Sequence, residues 1–138
     1  MTDGPPAVYV VGVGASSSAT AEEVAGLVQA NLDALGVQVA QVALVATTEV
    51  LAADHRVLQL GRPVKGFALD RLAGVAVPNP SEVPARALGT TSVAEAAALL
   101  AAGAGGRLVL EKQRSPHATV AIALADDRAT AGRPEGGV

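Results

Sequence analysis

Apolar and polar residues follow two rhythms along this chain, and each change of rhythm marks an element. Ala7 to Val13 is a continuous apolar run rich in β-branched residues, which predicts a strand buried on both faces. A glycine and serine stretch follows, and from Thr20 the apolar positions Val24, Leu27, Val28, Leu32 and Leu35 fall on one helical face. Thr20 and Glu23 have the Thr-x-x-Glu spacing of a capping box, and Gly36 is a natural stop. Val37 to Val45 predicts a second strand. Thr47 to Leu60 predicts a second helix, with Val50, Leu51, Val57 and Leu58 inward and Gly61 closing it. Val64 to Ala68 predicts a short third strand, and Leu69 to Gly74 a single helical turn.

The rhythm breaks between Val75 and Pro84, where the sequence VPNPSEVP rules out a central strand and reads as a stiff, shaped loop. Ser81 is placed to cap a short helix running to Ala87. Gly89 to Gly103 carries a second capping box, Ser92 with Glu95, and opens a helix so rich in alanine that it can pack very close to its neighbours. Arg107 to Gln113 and Ala118 to Leu124 predict two strands, and the short connection Arg114 to His117 makes them a hairpin. Residues 126–138 are polar, with glycine and proline, and read as a disordered tail. Strands alternating with helices imply a three-layer α/β/α sandwich. Its sheet is mostly parallel but mixed, ending in an antiparallel hairpin, and one domain spans residues 7–125.

Composition narrows what such a domain can do. A chain of 138 residues suits one domain, and with 50% hydrophobic residues it can build a sizeable core from Ala, Val and Leu. Tyr9 and Phe67 are the only aromatic residues, which argues against stacking of bases. The formal net charge of −3 leaves no basic stripe for a phosphate backbone, so nucleic acid is not an expected partner. Cysteine is absent, and His55 and His117 lie far apart, so no metal site is expected. No cofactor is implied. No apolar run approaches the roughly 20 residues of a membrane span, and no signal peptide precedes the first strand. The expected location is the cytoplasm.

The first turn is the leading candidate for chemistry. A dinucleotide fingerprint needs a third glycine where Ser17 stands, and its acidic partner is misplaced, Asp33 being too early and Glu49 too late. The physical content of the turn is independent of that label. Gly12 and Gly14 let backbone N–H groups approach a ligand, Ser16 and Ser17 add hydroxyls, and the following helix presents its positive end. Gly89, Thr90, Thr91 and Ser92 repeat that chemistry at the second helix start. Helix starts gather at the carboxyl ends of strands in an open parallel sheet, so the two could grip one ligand with several anionic arms. Two ordinary N-caps are the structural alternative, and the residues leave both open. Glu22 and Glu23 form an acidic pair that more often complements a helix dipole. Lys112 and Arg114 could meet a ligand carboxylate or simply solvate an edge strand. His117 is a general-base candidate, although a lone histidine beside a turn usually is not one.

Three segments together carry a family resemblance. VVGVGASSSATAEEV, VPNPSEVPARALGTTSVAEAAALLAAG and GGRLVLEKQRSPHATVAIAL resemble, in order and with compatible spacing, the CbiG C-terminal domain and its stand-alone relative CobE. The resemblance spans about residues 7 to 124 and implies a role in assembling the corrin ring of cobalamin. Full-length CbiG resembles a cobalt-precorrin-5A hydrolase, which opens a ring-attached lactone. CobE-like proteins carry this domain alone, so the hydrolase activity does not transfer by resemblance. The implied ligand is a corrinoid or precorrin intermediate, an apolar macrocycle with acetate and propionate arms. The candidate binding set is then Gly12, Gly14, Ser16, Ser17, Ser81, Gly89, Thr90, Thr91 and Ser92, with Lys112 and Thr119 from the hairpin. Were there hydrolysis, Glu22 or Glu95 is the available acid–base, although capping suits both. Two alternatives stand beside this reading: a non-catalytic partner of a pathway methyltransferase, and a small nucleotide-binding α/β module. Edge strands and alanine-rich surfaces also permit a homodimer. The sequence departs from the family at Ala15, Ser16 and Ser17, where the family turn carries Cys and basic residues, and around Thr47 to Glu49, where a family lysine is missing.

Overall fold

A computed structural model describes residues 8–75, 77 and 93–125. Its strands are β1 (Tyr9–Ala15), β2 (Val42–Thr48), β3 (Val64–Phe67), β4 (Arg107–Arg114) and β5 (Ala118–Leu124). They form one five-stranded sheet in the order β3-β2-β1-β5-β4. β1, β2 and β3 run parallel, while β5 runs antiparallel to both β1 and β4. The sheet is mixed, as expected, with the closing hairpin inserted beside β1.

Helices cover both faces. On one lie α1 (Ala21–Leu35) and α3 (His55–Leu58); on the other lie α4 (Leu69–Ala73) and α5 (Val93–Ala102). Side chains of a strand alternate between faces, and the two cores follow that period. Val11, Val13, Val45, Val120 and Ile122 meet Val24, Val28, Leu32 and Val57 on the α1 face. Val10, Ala46 and Ala123 meet Leu72, Ala97 and Ala98 on the α5 face. Covering on both sides is why β1 is buried from Val10 to Gly14.

The first helix forms as its caps dictate. Thr20 Oγ1 accepts the Glu23 N–H at 3.0 Å, and Gly36 adopts a left-handed φ of 71° after the last turn. The Val37 N–H reaches back to the Leu32 carbonyl at 2.9 Å, closing the helix end.

Two expectations need correction. The strand placed at Val37 to Val45 begins only at Val42, because Val39–Gln41 form a 3-10 turn in which the Gln41 side chain accepts the Gln38 N–H at 2.8 Å. The helix placed at Thr47 to Leu60 is two short helices, α2 (Glu49–Ala52) and α3, and both threonines belong to β2. Thr48 caps α2 by accepting the Leu51 N–H at 3.1 Å, and Asp54 caps α3 by accepting the Arg56 N–H at 2.9 Å. A polar cap within the segment restarts the helix on a new axis. Leu51 and Val57 are buried as expected, but Val50 is 82% exposed and Leu58 52% exposed. The helical turn at Leu69 and the hairpin lie where the pattern put them.

Candidate functional site

The carboxyl ends of β1, β2 and β3 define one edge of the sheet. The hairpin tip shares it, because Ala15 at the end of β1 pairs with Ala118 at the start of β5. α1, α2 and α4 each begin there, directly after β1, β2 and β3. α5 begins there too: Val93 lies over Gly14, and Ala94 and Ala98 lie over Gly12.

Gly12 and Gly14 are therefore strand residues, and the turn itself is made by Ser17 and Ser18. A Cβ on Gly12 would stand 1.9 Å from the Ala94 carbonyl oxygen and 3.0 Å from the Ala98 Cβ. The missing side chain is what lets α5 press against the sheet. A Cβ on Gly14 would stand 2.7 Å from Thr119 Oγ1, so the pair Gly14 and Thr119 sits beneath the start of α5. Their role in this fold is close packing of helix on strand.

Ser16, Ser17 and Ser18 are exposed on a turn whose backbone is held from several sides. The Ser16 N–H donates to the His117 carbonyl at 2.9 Å, and the Ser18 N–H to Ser16 Oγ at 3.3 Å. Arg56 Nη1 donates to the Ser16 carbonyl at 2.8 Å and the Ala19 carbonyl at 2.9 Å. Arg56 is in turn fixed by a two-pronged pair with Asp54, at 2.9 Å from Nε and 2.8 Å from Nη2. This pairing draws the Asp54 carboxyl down to about 2 and raises Arg56.

Glu23 reaches from the first turn of α1 to the hairpin tip. It accepts the Ser115 hydroxyl and, at 2.8 Å, the His117 backbone N–H. Its pKa is lowered, first by the Ser115 hydroxyl and then by the His117 N–H. Glu95 is fully buried in the first turn of α5 and accepts the Lys112 backbone N–H at 2.8 Å. That N–H is available because β4 carries an extra residue between Leu110 and Gln113, a bulge that takes it off the ladder. Glu22 is exposed. At the end of β2, the buried Thr47 hydroxyl donates to the Val13 carbonyl at 2.7 Å, just past the last paired residues, Gly12 and Ala46.

Of the candidate binding residues, Ser16 and Ser17 are exposed at this edge, Gly12, Gly14 and Thr119 lie beneath α5, and Lys112 sits at the bulge of β4. Ser81, Gly89, Thr90, Thr91 and Ser92 lie outside the described residues. Sequence reasoning missed the Asp54–Arg56 brace, although Asp-x-Arg is a usable local signal. It also missed the partners of Glu23, which lie 92 and 94 residues away, beyond any local pattern.

Comparison with known proteins bears on this edge. The family model for the cobalamin synthesis G C-terminus matches residues 9–123. The chain belongs to this family. Protein CobE from a Sinorhizobium species is 33% identical over 120 residues, covering 83% of this chain and 78% of its own. The crystal structure of CobE, a protein of the cobalamin (vitamin B12) biosynthetic pathway, superposes with a TM-score of 0.78 at 28% identity, covering 91% of this chain and 96% of that one. The cobalamin biosynthesis protein chiG of Agrobacterium tumefaciens gives 0.63 at 29% identity, over 86% of this chain and 99% of its own. The chain is thus a cobalamin biosynthesis protein of the CobE/CbiG family, with the mixed α/β fold of CobE. Among the described residues no helix is long and apolar enough to cross a membrane.

Proposed function

We propose that the carboxyl edge of the sheet binds a corrinoid or precorrin intermediate by its carboxylate arms. The observation that carries this reading is the family match over residues 9–123, which spans β1 to β5 and so includes the whole described edge. Three features of the edge support it. The exposed serine turn offers hydroxyl donors on a backbone that Arg56 and His117 hold in place. The hairpin supplies Lys112 and Arg114 in a chain whose net charge is −3, so the local cations matter for holding a polyanion. The exposed Val50 and Leu69, at the starts of α2 and α4, offer apolar surface to a macrocycle. This role places the protein in the cytoplasm, alone or beside a pathway enzyme such as a methyltransferase.

Titration with hydrogenobyrinic acid, followed by its visible absorption and by co-elution on gel filtration, tests the reading. A nicotinamide dinucleotide is the control. Retention of the corrinoid with a shifted spectrum is the expected result. Retention of the dinucleotide alone would overturn it.

A further inference from the structure

The two long helices treat the hairpin in the same way. Glu23 and Glu95 are each the third residue of their helix, and their helices lie on opposite faces of the sheet. The ordinary use of an acid at that position is local, closing a capping box on its own helix start. Here both carboxylates also reach across to the β4–β5 hairpin. Glu23 takes the Ser115 hydroxyl and the His117 N–H at its tip, and Glu95 takes the Lys112 N–H at its bulge. The tip is fastened a third time by the Ser16 N–H on the His117 carbonyl.

The held segment carries exposed cationic chemistry. Arg114 is exposed and makes no ion pair among the described residues, where the ion pairs are those of Asp54. It is directly opposite Thr119, so the two project from one face, the face on which Gly14 and Val93 meet Thr119. Glu23 lies at the other side of the tip, where it is already engaged by two donors.

Resting on the function proposed above, we infer that the hairpin tip is a preorganised arm that reads an anionic group of the ligand. Arg114 is its contact, and Glu23 is the positioning residue that sets it. Order held in advance lowers the entropy lost when a long cationic side chain engages a carboxylate.

The test uses the full chain with hydrogenobyrinic acid as the probe. Affinity is measured at several salt concentrations, and backbone amide exchange is followed across residues 111–118 without ligand. Arg114→Ala should weaken binding about tenfold, the loss of one charge-assisted hydrogen bond, and flatten the salt dependence at unchanged Tm. Glu23→Ala should speed exchange at the tip and weaken binding several-fold. Glu23→Gln, whose amide oxygen can still accept, should restore both. Unchanged affinity and salt dependence in Arg114→Ala, with the wild type binding, would overturn the arm and leave the function standing. Weaker binding in Glu23→Ala without faster tip exchange, or no rescue by Gln, would overturn the positioning role. A wild-type protein that does not hold the acid would overturn the functional reading and the arm with it.

Discussion

Gly12→Ala separates the two jobs a glycine can do at this point of the fold. A ligand-cradling glycine can gain a methyl group and lose only binding. The Gly12 of this structure cannot. Its new Cβ would meet the Ala94 carbonyl oxygen at 1.9 Å and the carbonyl carbon at 2.9 Å, where real Cβ atoms keep beyond 3.0 Å. Both neighbours are helix backbone, so no side-chain rotation relieves the clash. α5 must retreat by about 1 Å. That retreat opens the layer in which Ala97 and Ala98 pack against Ala46 and Ala123. Forced overpacking of this kind costs about 3 kcal/mol or more, a large part of a typical total of roughly 5–15 kcal/mol. Thermal denaturation followed by circular dichroism should show a fall in Tm of roughly 10 °C or more. Gly14→Ala is the internal control. Its Cβ meets a threonine hydroxyl at 2.7 Å, which can rotate away, so the fall should be much smaller. A Gly12→Ala protein with wild-type Tm and lost corrinoid binding would refute the packing role and return Gly12 to the ligand.

Three further outcomes follow from the same edge. Thr47→Val removes the 2.7 Å bond to the Val13 carbonyl and leaves that buried acceptor unmet; urea denaturation should show a loss of about 1–3 kcal/mol, and Thr47→Ser should recover most of it. Arg56→Ala frees the Ser16 and Ala19 carbonyls, so hydrogen exchange of residues 16–20 should speed up while the core strands stay protected. The Asp54 carboxyl is held at about 2 against an ordinary value of 3.8, chiefly by the side-chain hydrogen bond from Arg56. Its folded pKa lies below its unfolded one, so its contribution is complete above about pH 4 and is lost as pH falls toward 2. The lowered Glu23 acts with the same sign. Stability measured from pH 5 downward should therefore fall less steeply in Asp54→Asn than in the wild type.

Elements whose signals are local were legible in the sequence. The apolar run of β1, the Thr20 and Gly36 caps of α1 and the short hairpin connection each lie within a few residues of what they specify. The segment from Thr47 to Leu60 was not, because its apolar spacing fits a helix while its polar residues divide it. Thr47 extends β2 by donating its hydroxyl where the backbone ladder ends, and Asp54 restarts the helix. Tertiary pairing there overrides propensity. Within the candidate site, the serine turn was legible as a turn. Gly12 was not legible as a packing residue, since a glycine written in sequence does not say whether a ligand or a helix occupies the space beside it. Thr20 with Glu23 showed a cap, but nothing local showed that the carboxylate would turn to a hairpin 92 residues on.

The strand order explains why that hairpin matters. In an open parallel sheet, a crevice at the carboxyl edge is walled by loops that lead from strands into helices. Here the parallel half ends at β1, and the position beside it is taken by β5, running the other way. A strand-to-helix loop is thus replaced by a hairpin tip. The replacement changes the chemistry available. A loop entering a helix offers backbone N–H groups, and in α1 Thr20 already takes one of these. A hairpin tip offers side chains, here Arg114 and His117, on a backbone fixed by Glu23 and Ser16. If the edge holds the carboxylates of a corrinoid, as proposed, recognition passes from helix ends to these side chains, and the glycines of β1 serve it indirectly. By letting α5 approach, Gly12 brings Glu95 within reach of the bulge that begins the arm.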